Sequence, residues 1–188
     1  FLQRVPHSAV VVIDEAYREY VDESEVPDAL TLSEMHPHLI VTRTFSKAHG
    51  LASLRTGYAI SSPPLAAVLE RTRLTFNVNL YAQVAATLAM ADSAHVERVR
   101  AANASERAWL SAQLRALGLF VFPSQGNFVL VDFERPAKPI EDAMLKRGVI
   151  LRPMGGYGLP TCLRITVGLR DENEALLAAL RIVLAERA

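Results

Sequence analysis

Two short, uninterrupted apolar runs constrain this chain more than any other feature. AVVVID (9–14) and HLIVTRTFS (38–46) are rich in β-branched residues and lack the in-and-out alternation of a strand with one wet face. Each is predicted as a strand covered on both faces, in a sheet with a parallel component, which places this part of the chain in the α/β class. TGYAISS (56–62) makes a third strand. Pro63 and Pro64 then open a helix over 63–73, their fixed φ suiting a first turn. Asn77 and Asn79 are placed to cap a second helix, 80–91.

From Ser93 to Leu117, Val96, Val99, Leu110, Leu114 and Leu117 recur at helical spacing and predict a long amphipathic helix stopped by Gly118. Its charges, Glu97, Arg98, Arg100, Glu106, Arg107 and Arg115, read as a solvated face. Beyond it, LFVF (119–122), NFVLVDF (127–133), a helix over 137–147, VILRP (149–153), CLRITVG (162–168) and a last helix over 171–187 form a compact α+β unit. Asp171 and Glu174 are spaced as a capping box for that helix. The expected organisation is a first body over 1–92, a linking helix over 93–118 and a small domain over 119–188.

Composition excludes several classes. The chain has 188 residues, 51% of them hydrophobic, enough for a sizeable core and too many for a disordered chain. Twenty basic residues balance twenty acidic ones, so there is no electrostatic footprint for nucleic acid or an anionic membrane. The longest apolar runs have five or six residues, against about 18 for a bilayer span. A lone cysteine, Cys162, in an apolar-alternating segment reads as a core thiol in a reduced, cytoplasmic setting. The opening FLQRVPHS lacks the features of a signal peptide, and its first residue, Phe1, suggests a chain cut from something longer. His36 and His38 have no companion ligands at metal spacing and read as solvated loop histidines, so no metal is expected. GGYG (155–158) lacks the spacing of a dinucleotide fingerprint and reads as a turn.

The residues with chemistry in them gather at strand ends. Asp14 closes the first strand, with Tyr17 three residues on, and TRTFSKAHGLASLR puts Thr44, Ser46, Lys47 and Arg55 at the carboxyl end of the second. In open α/β sheets that edge is where ligands bind. Taken singly, each has an ordinary role: a turn aspartate, a half-buried phenol, a surface lysine. Together, an acid, a phenol, an amine flanked by apolar Phe45, Ala48 and Leu51, and an anion-binding group suit pyridoxal phosphate. Asp14 would keep the pyridine nitrogen protonated and Tyr17 would bond the ring hydroxyl. Lys47 would hold the cofactor covalently and move the substrate proton, while Ser46 and Arg55 bind the phosphate.

The sequence resembles the fold-type I aminotransferases, within them most closely the histidinol-phosphate branch. VVIDEAYREY resembles that family's segment for the pyridine nitrogen and ring hydroxyl, on Asp14 and Tyr17. TRTFSKAHGLASLRTGYAI resembles its cofactor-lysine segment, with the lysine on Lys47 and phosphate contacts on Ser46, Arg55 and Thr44. ILRPMGGYGLPTCLRITVG resembles its segment for the substrate anion, implying Arg164 as main ligand and Arg152 as second. A planar guanidinium suits either a carboxylate or a phosphate. SQGNFVLV, with Asn127, also resembles a family segment without suggesting a role. Ser53 and His49 stand where the family commonly has glycine and an aromatic residue.

The resemblance implies an α/β fold-type I pyridoxal-phosphate transferase: the carboxyl-terminal part of its large mixed-sheet domain, then the small α+β domain. It also implies a homodimer, and transamination between histidinol phosphate and 2-oxoglutarate. Family members are about twice as long, so the parts that complete the cofactor site would be absent. Aromatic-amino-acid transamination and decarboxylation of a threonine phosphate remain alternatives within the fold, and a non-catalytic folded fragment is the alternative outside it.

Overall fold

The computed structural model of this chain describes residues 1–22 and 24–186. They form two compact units, Phe1–Arg100 and Ala101–Ala188.

In the first unit β1 (Val11–Asp14), β2 (Leu39–Thr44) and β3 (Gly57–Ser61) form a sheet in the order β1-β2-β3. β1 runs parallel to β2, with Asp14 opposite Thr42, and β3 returns antiparallel, with Gly57 opposite Thr44. The carboxyl ends of β1 and β2 and the amino end of β3 therefore share one edge. The crossover from β1 to β2 carries 3-10 turns, Arg18–Tyr20 and Ala29–Met35. Leu2, Val11, Ala29, Leu39 and Val41 form the core.

Coverage on both faces holds for the first half of β2 but not for β1, where Val11 is buried and Val12 exposed. β1 is also an edge strand among the described residues, paired on one side only.

α1 (Pro63–Thr72) begins at the paired prolines, and α2 (Leu80–Ala91) is capped by Asn79, whose Oδ1 accepts the Ala82 N–H at 2.9 Å. Asn77 does not cap; its Oδ1 accepts from the Arg73 guanidinium. α3 (Ser93–Ala116) runs from the first unit into the second, and Gly118, at φ +80°, follows its end. His36 departs from expectation. At 1% exposure it is buried, its ring 5.5 Å from that of His7 and 6.4 Å from that of His38. The turn ending at Met35 draws it inward.

In the second unit β4 (Phe120–Val121), β5 (Phe128–Asp132), β6 (Arg152–Pro153) and β7 (Cys162–Thr166) form an antiparallel sheet in the order β4-β5-β7-β6. α4 (Lys138–Leu145), α5 (Arg170–Ala185) and the second half of α3 supply Met144, Leu177, Leu180 and Leu110 to a core with Val129 and Ile165.

α5 starts earlier than its sequence suggests. Its cap is Leu169, whose N–H donates to Glu172 Oε2 at 2.7 Å, and Asn173 Oδ1 accepts the Gly168 N–H, so Asp171 lies inside the first turn and no Asp171–Glu174 box forms. Arg187, the expected end of this helix, lies outside the described residues. The charges of α3 are also not simply solvated. Arg107 donates to the carbonyls of Gln125 and Gly126, and Glu106 receives Arg170 and Asn173, because this stretch of helix borders the turn before β5 and the start of α5.

Candidate active site

The shared sheet edge of the first unit carries six of the residues singled out from sequence. Asp14 ends β1 with its carboxylate exposed; Oδ1 accepts from the Ala16 N–H at 3.1 Å and the Thr42 hydroxyl at 3.2 Å. These bonds orient it without neutralising it. Tyr17 follows on the turn that leaves β1. At the end of β2, Thr44 Oγ1 accepts the Ser46 N–H at 3.1 Å, bending the chain so that Lys47 follows within the turn rather than along the strand. The Lys47 ammonium lies 5.4 Å from the centre of the Tyr17 ring, within reach of a cation–π contact.

Arg55 sits in the left-handed region, at φ 54° and ψ 47°, just before β3, and donates to the Ala52 carbonyl at 2.7 Å. A non-glycine residue held there stores strain of about 1–3 kcal/mol, a cost that concentrates at functional sites. Neither Lys47 nor Arg55 has a carboxylate partner among the described residues.

Behind this edge lies a partly buried network that sequence reading missed. Arg43 donates to Glu15 Oε2 through Nε at 2.9 Å and Nη2 at 2.7 Å, and to Asp28 at 2.8 Å; Glu15 Oε1 accepts the Ala29 N–H. Burial opposes the Arg43 charge, but the two carboxylates outweigh it and hold its pKa above the ordinary value. Strand alternation could have signalled this: Glu15 follows Asp14, and Arg43 lies between Thr42 and Thr44, facing the other way.

Asp14 and Tyr17 also line a cavity of about 340 Å³ with Ile13, Val21 and Leu32. A larger one, about 390 Å³, is walled by Leu30, Glu34, His36 and Ile60 and includes none of the candidate residues. Chemistry, rather than size, locates the site.

In the second unit Arg164 on β7 faces Arg152 on β6 in register. Arg164 stacks over Phe128, its guanidinium carbon 5.0 Å from the ring centre, and Arg152 donates to the Tyr157 hydroxyl at 3.3 Å. Asn127 contributes its carbonyl to the Val167 N–H.

A family model described as aminotransferase class I and II matches residues 2–180. The chain belongs to this family. Among relatives of this chain, a histidinol-phosphate aminotransferase from Anaeromyxobacter sp. (strain Fw109-5) is 51% identical over 98% of this chain and 51% of its own length. Histidinol-phosphate aminotransferase 2 from Pseudomonas aeruginosa is also 51% identical, over 98% of this chain and 50% of its own. The crystal structure of histidinol-phosphate aminotransferase from Sinorhizobium meliloti in complex with pyridoxal-5'-phosphate superposes with a TM-score of 0.91 at 33% identity, covering 99% of this chain and 52% of that one. The class I/II chain thus spans about half the length of the curated relatives it matches.

Proposed function

We propose that this chain forms part of a pyridoxal-phosphate-dependent transaminase that exchanges the amino group of histidinol phosphate with 2-oxoglutarate. One observation carries the reading. A carboxylate (Asp14), an amine (Lys47) and a guanidinium (Arg55) converge on one sheet edge, and none is neutralised by another charged side chain among the described residues. Uncompensated charges of both signs fit a ligand that is itself cationic at one end and dianionic at the other. Pyridoxal phosphate has that pattern, and when bound it supplies an electron sink for the bond broken at the substrate α-carbon.

Asp14, held by Ala16 and Thr42, presents an acceptor for a ring N–H. Tyr17 presents a phenol to the ring oxygen. The Ser46 hydroxyl and the Arg55 fork bind phosphate oxygens, with Thr44 setting the turn that places Ser46. Lys47 is the base that takes the α-carbon proton and returns it. In the second unit Arg164, braced on Phe128, is the principal anion ligand and Arg152 the second.

The relatives' names, all histidinol-phosphate aminotransferases at about 50% identity, support the substrate. A homodimer is part of the reading. It is supported by the exposed apolar row Leu80, Val84 and Leu88 on α2 and by a sheet whose edge strands pair on one side only among the described residues. A cytoplasmic setting is supported by the free, buried Cys162; no helix of the described residues is long and apolar enough to cross a membrane.

The test is titration of the 188-residue chain with pyridoxal phosphate, borohydride reduction and peptide mapping. A stoichiometric adduct on Lys47, absent from Lys47→Ala, is the expected result. Weak labelling scattered over several lysines would overturn a cofactor role for this chain.

A further inference from the structure

Glu19 and His49 form a second bridge between the segments that carry Tyr17 and Lys47. Glu19 lies two residues beyond Tyr17 on the Arg18–Tyr20 turn, and His49 two residues beyond Lys47. Their side chains are 14% and 12% exposed, with His49 Nε2 3.6 Å from Glu19 Oε1. Each also has a buried polar atom, Glu19 Oε2 and His49 Nδ1, with no hydrogen-bond partner among the described residues. The His49 ring packs against Phe45 at 5.1 Å. The same two segments meet again at the candidate site, where Lys47 lies over Tyr17.

We propose that Glu19 and His49 are positioning residues: a largely buried pair that holds the Tyr17 segment against the Lys47 segment and so sets the Lys47–Tyr17 contact. The inference rests on the reading of those two residues as cofactor ligands.

A carboxylate this buried is costly without a polar partner, and the His49 ring nitrogen, 3.6 Å away, is the group the fold brings to it. Without that contact the two segments lose their second bridge. The surrounding charged and titratable groups do not replace it. Arg18, on the same turn, bonds the Val26 carbonyl and lies 3.6 Å from Asp28. The Tyr20 phenol is pushed up by burial, then by Glu19 and Tyr17, and remains neutral. His95 meets the Ala48 carbonyl at 3.2 Å, and Lys47 is committed to the Tyr17 ring.

The test uses the 188-residue chain alone, with no cofactor, and follows the Lys47 ε-methylene resonances by NMR. The Tyr17 ring shifts them upfield while the contact is made. Upfield ε-methylene shifts are therefore expected in the wild-type chain. His49→Phe keeps a ring against Phe45 without a polar nitrogen to meet Glu19, and Glu19→Gln removes the carboxylate charge. Both are expected to move the resonances toward the free-lysine position while retaining wild-type circular dichroism. Free-lysine shifts in the wild-type chain overturn the proposal, and so do wild-type shifts in either variant. If the chain fails to form a Lys47 adduct with pyridoxal phosphate, the functional reading falls while the NMR result still stands or falls by itself.

Discussion

Arg152 and Arg164 oppose each other directly across the β6–β7 pair, two guanidinium groups in register with no carboxylate partner among the described residues. Like charges placed so are destabilising by about 0.2–1 kcal/mol, a cost that a bound anion removes. Inorganic phosphate is therefore expected to raise the melting temperature of the chain at low salt. Arg152→Gln is expected to raise the phosphate-free value slightly and shrink the phosphate effect, and Arg164→Gln to abolish that effect. Calorimetry across a phosphate series checks this, and equal phosphate effects in all three proteins would refute it.

Gly57 is needed for the close approach of β3 to β2. A Cβ built there would lie 2.6 Å from the Arg43 carbonyl oxygen, a backbone atom fixed in the strand pair. Gly57→Ala is expected to lower stability by about 1–3 kcal/mol, read from a urea midpoint that shifts with an unchanged slope.

Asp28 sets an acid limit on the first unit. Burial works to raise its pKa, but the Leu30 N–H and the Arg43 guanidinium outweigh it and hold the group below its ordinary 3.8. A lowered carboxylate contributes stability that is present above the unfolded-state pKa and disappears as pH falls through the folded value. Urea midpoints should therefore decline below about pH 4. In Asp28→Asn that decline should be shallower, and an unchanged acid limb would exclude this origin.

Cys162 is expected to be inert in the native chain. It is 1% exposed, and burial chiefly pushes its thiol pKa up, so little thiolate forms and little reagent reaches it. Iodoacetamide should leave it unmodified at neutral pH and label it once urea unfolds the chain; rapid native labelling would contradict the packing around β7.

Periodicity and turn chemistry made most elements legible: the three strands ending near Asp14, Thr44 and Ser61, the Pro63 helix start and the Asn79 cap all lie where the sequence places them. The gathering of Asp14, Tyr17, Thr44, Ser46, Lys47 and Arg55 at one sheet edge was legible because the apolar runs show where β1 and β2 end. What stayed hidden depended on contacts between distant segments. Arg43 looks like any strand arginine until Glu15 and Asp28, far away in sequence, are brought to it. His36 looks like a loop histidine until the turn before it folds inward. At α5 the choice between Leu169 and Asp171 was decided by Glu172 reaching back, which outweighed the better intrinsic cap.

The register of the first sheet also carries a kinetic meaning. Thr44 and Gly57 are joined by the short loop that bears Ser46, Lys47 and Arg55, whereas Asp14 meets Thr42 only after the whole crossover has been drawn in. Closing the shorter loop costs less chain entropy and happens sooner. The cationic wall of the candidate site therefore rests on a local pairing and its acidic wall on a distant one. Bringing the carboxylate to that edge costs about 0.6 kcal/mol more loop entropy than bringing the amine and the guanidinium there, so the acidic wall is the part of the site that depends most on distant packing.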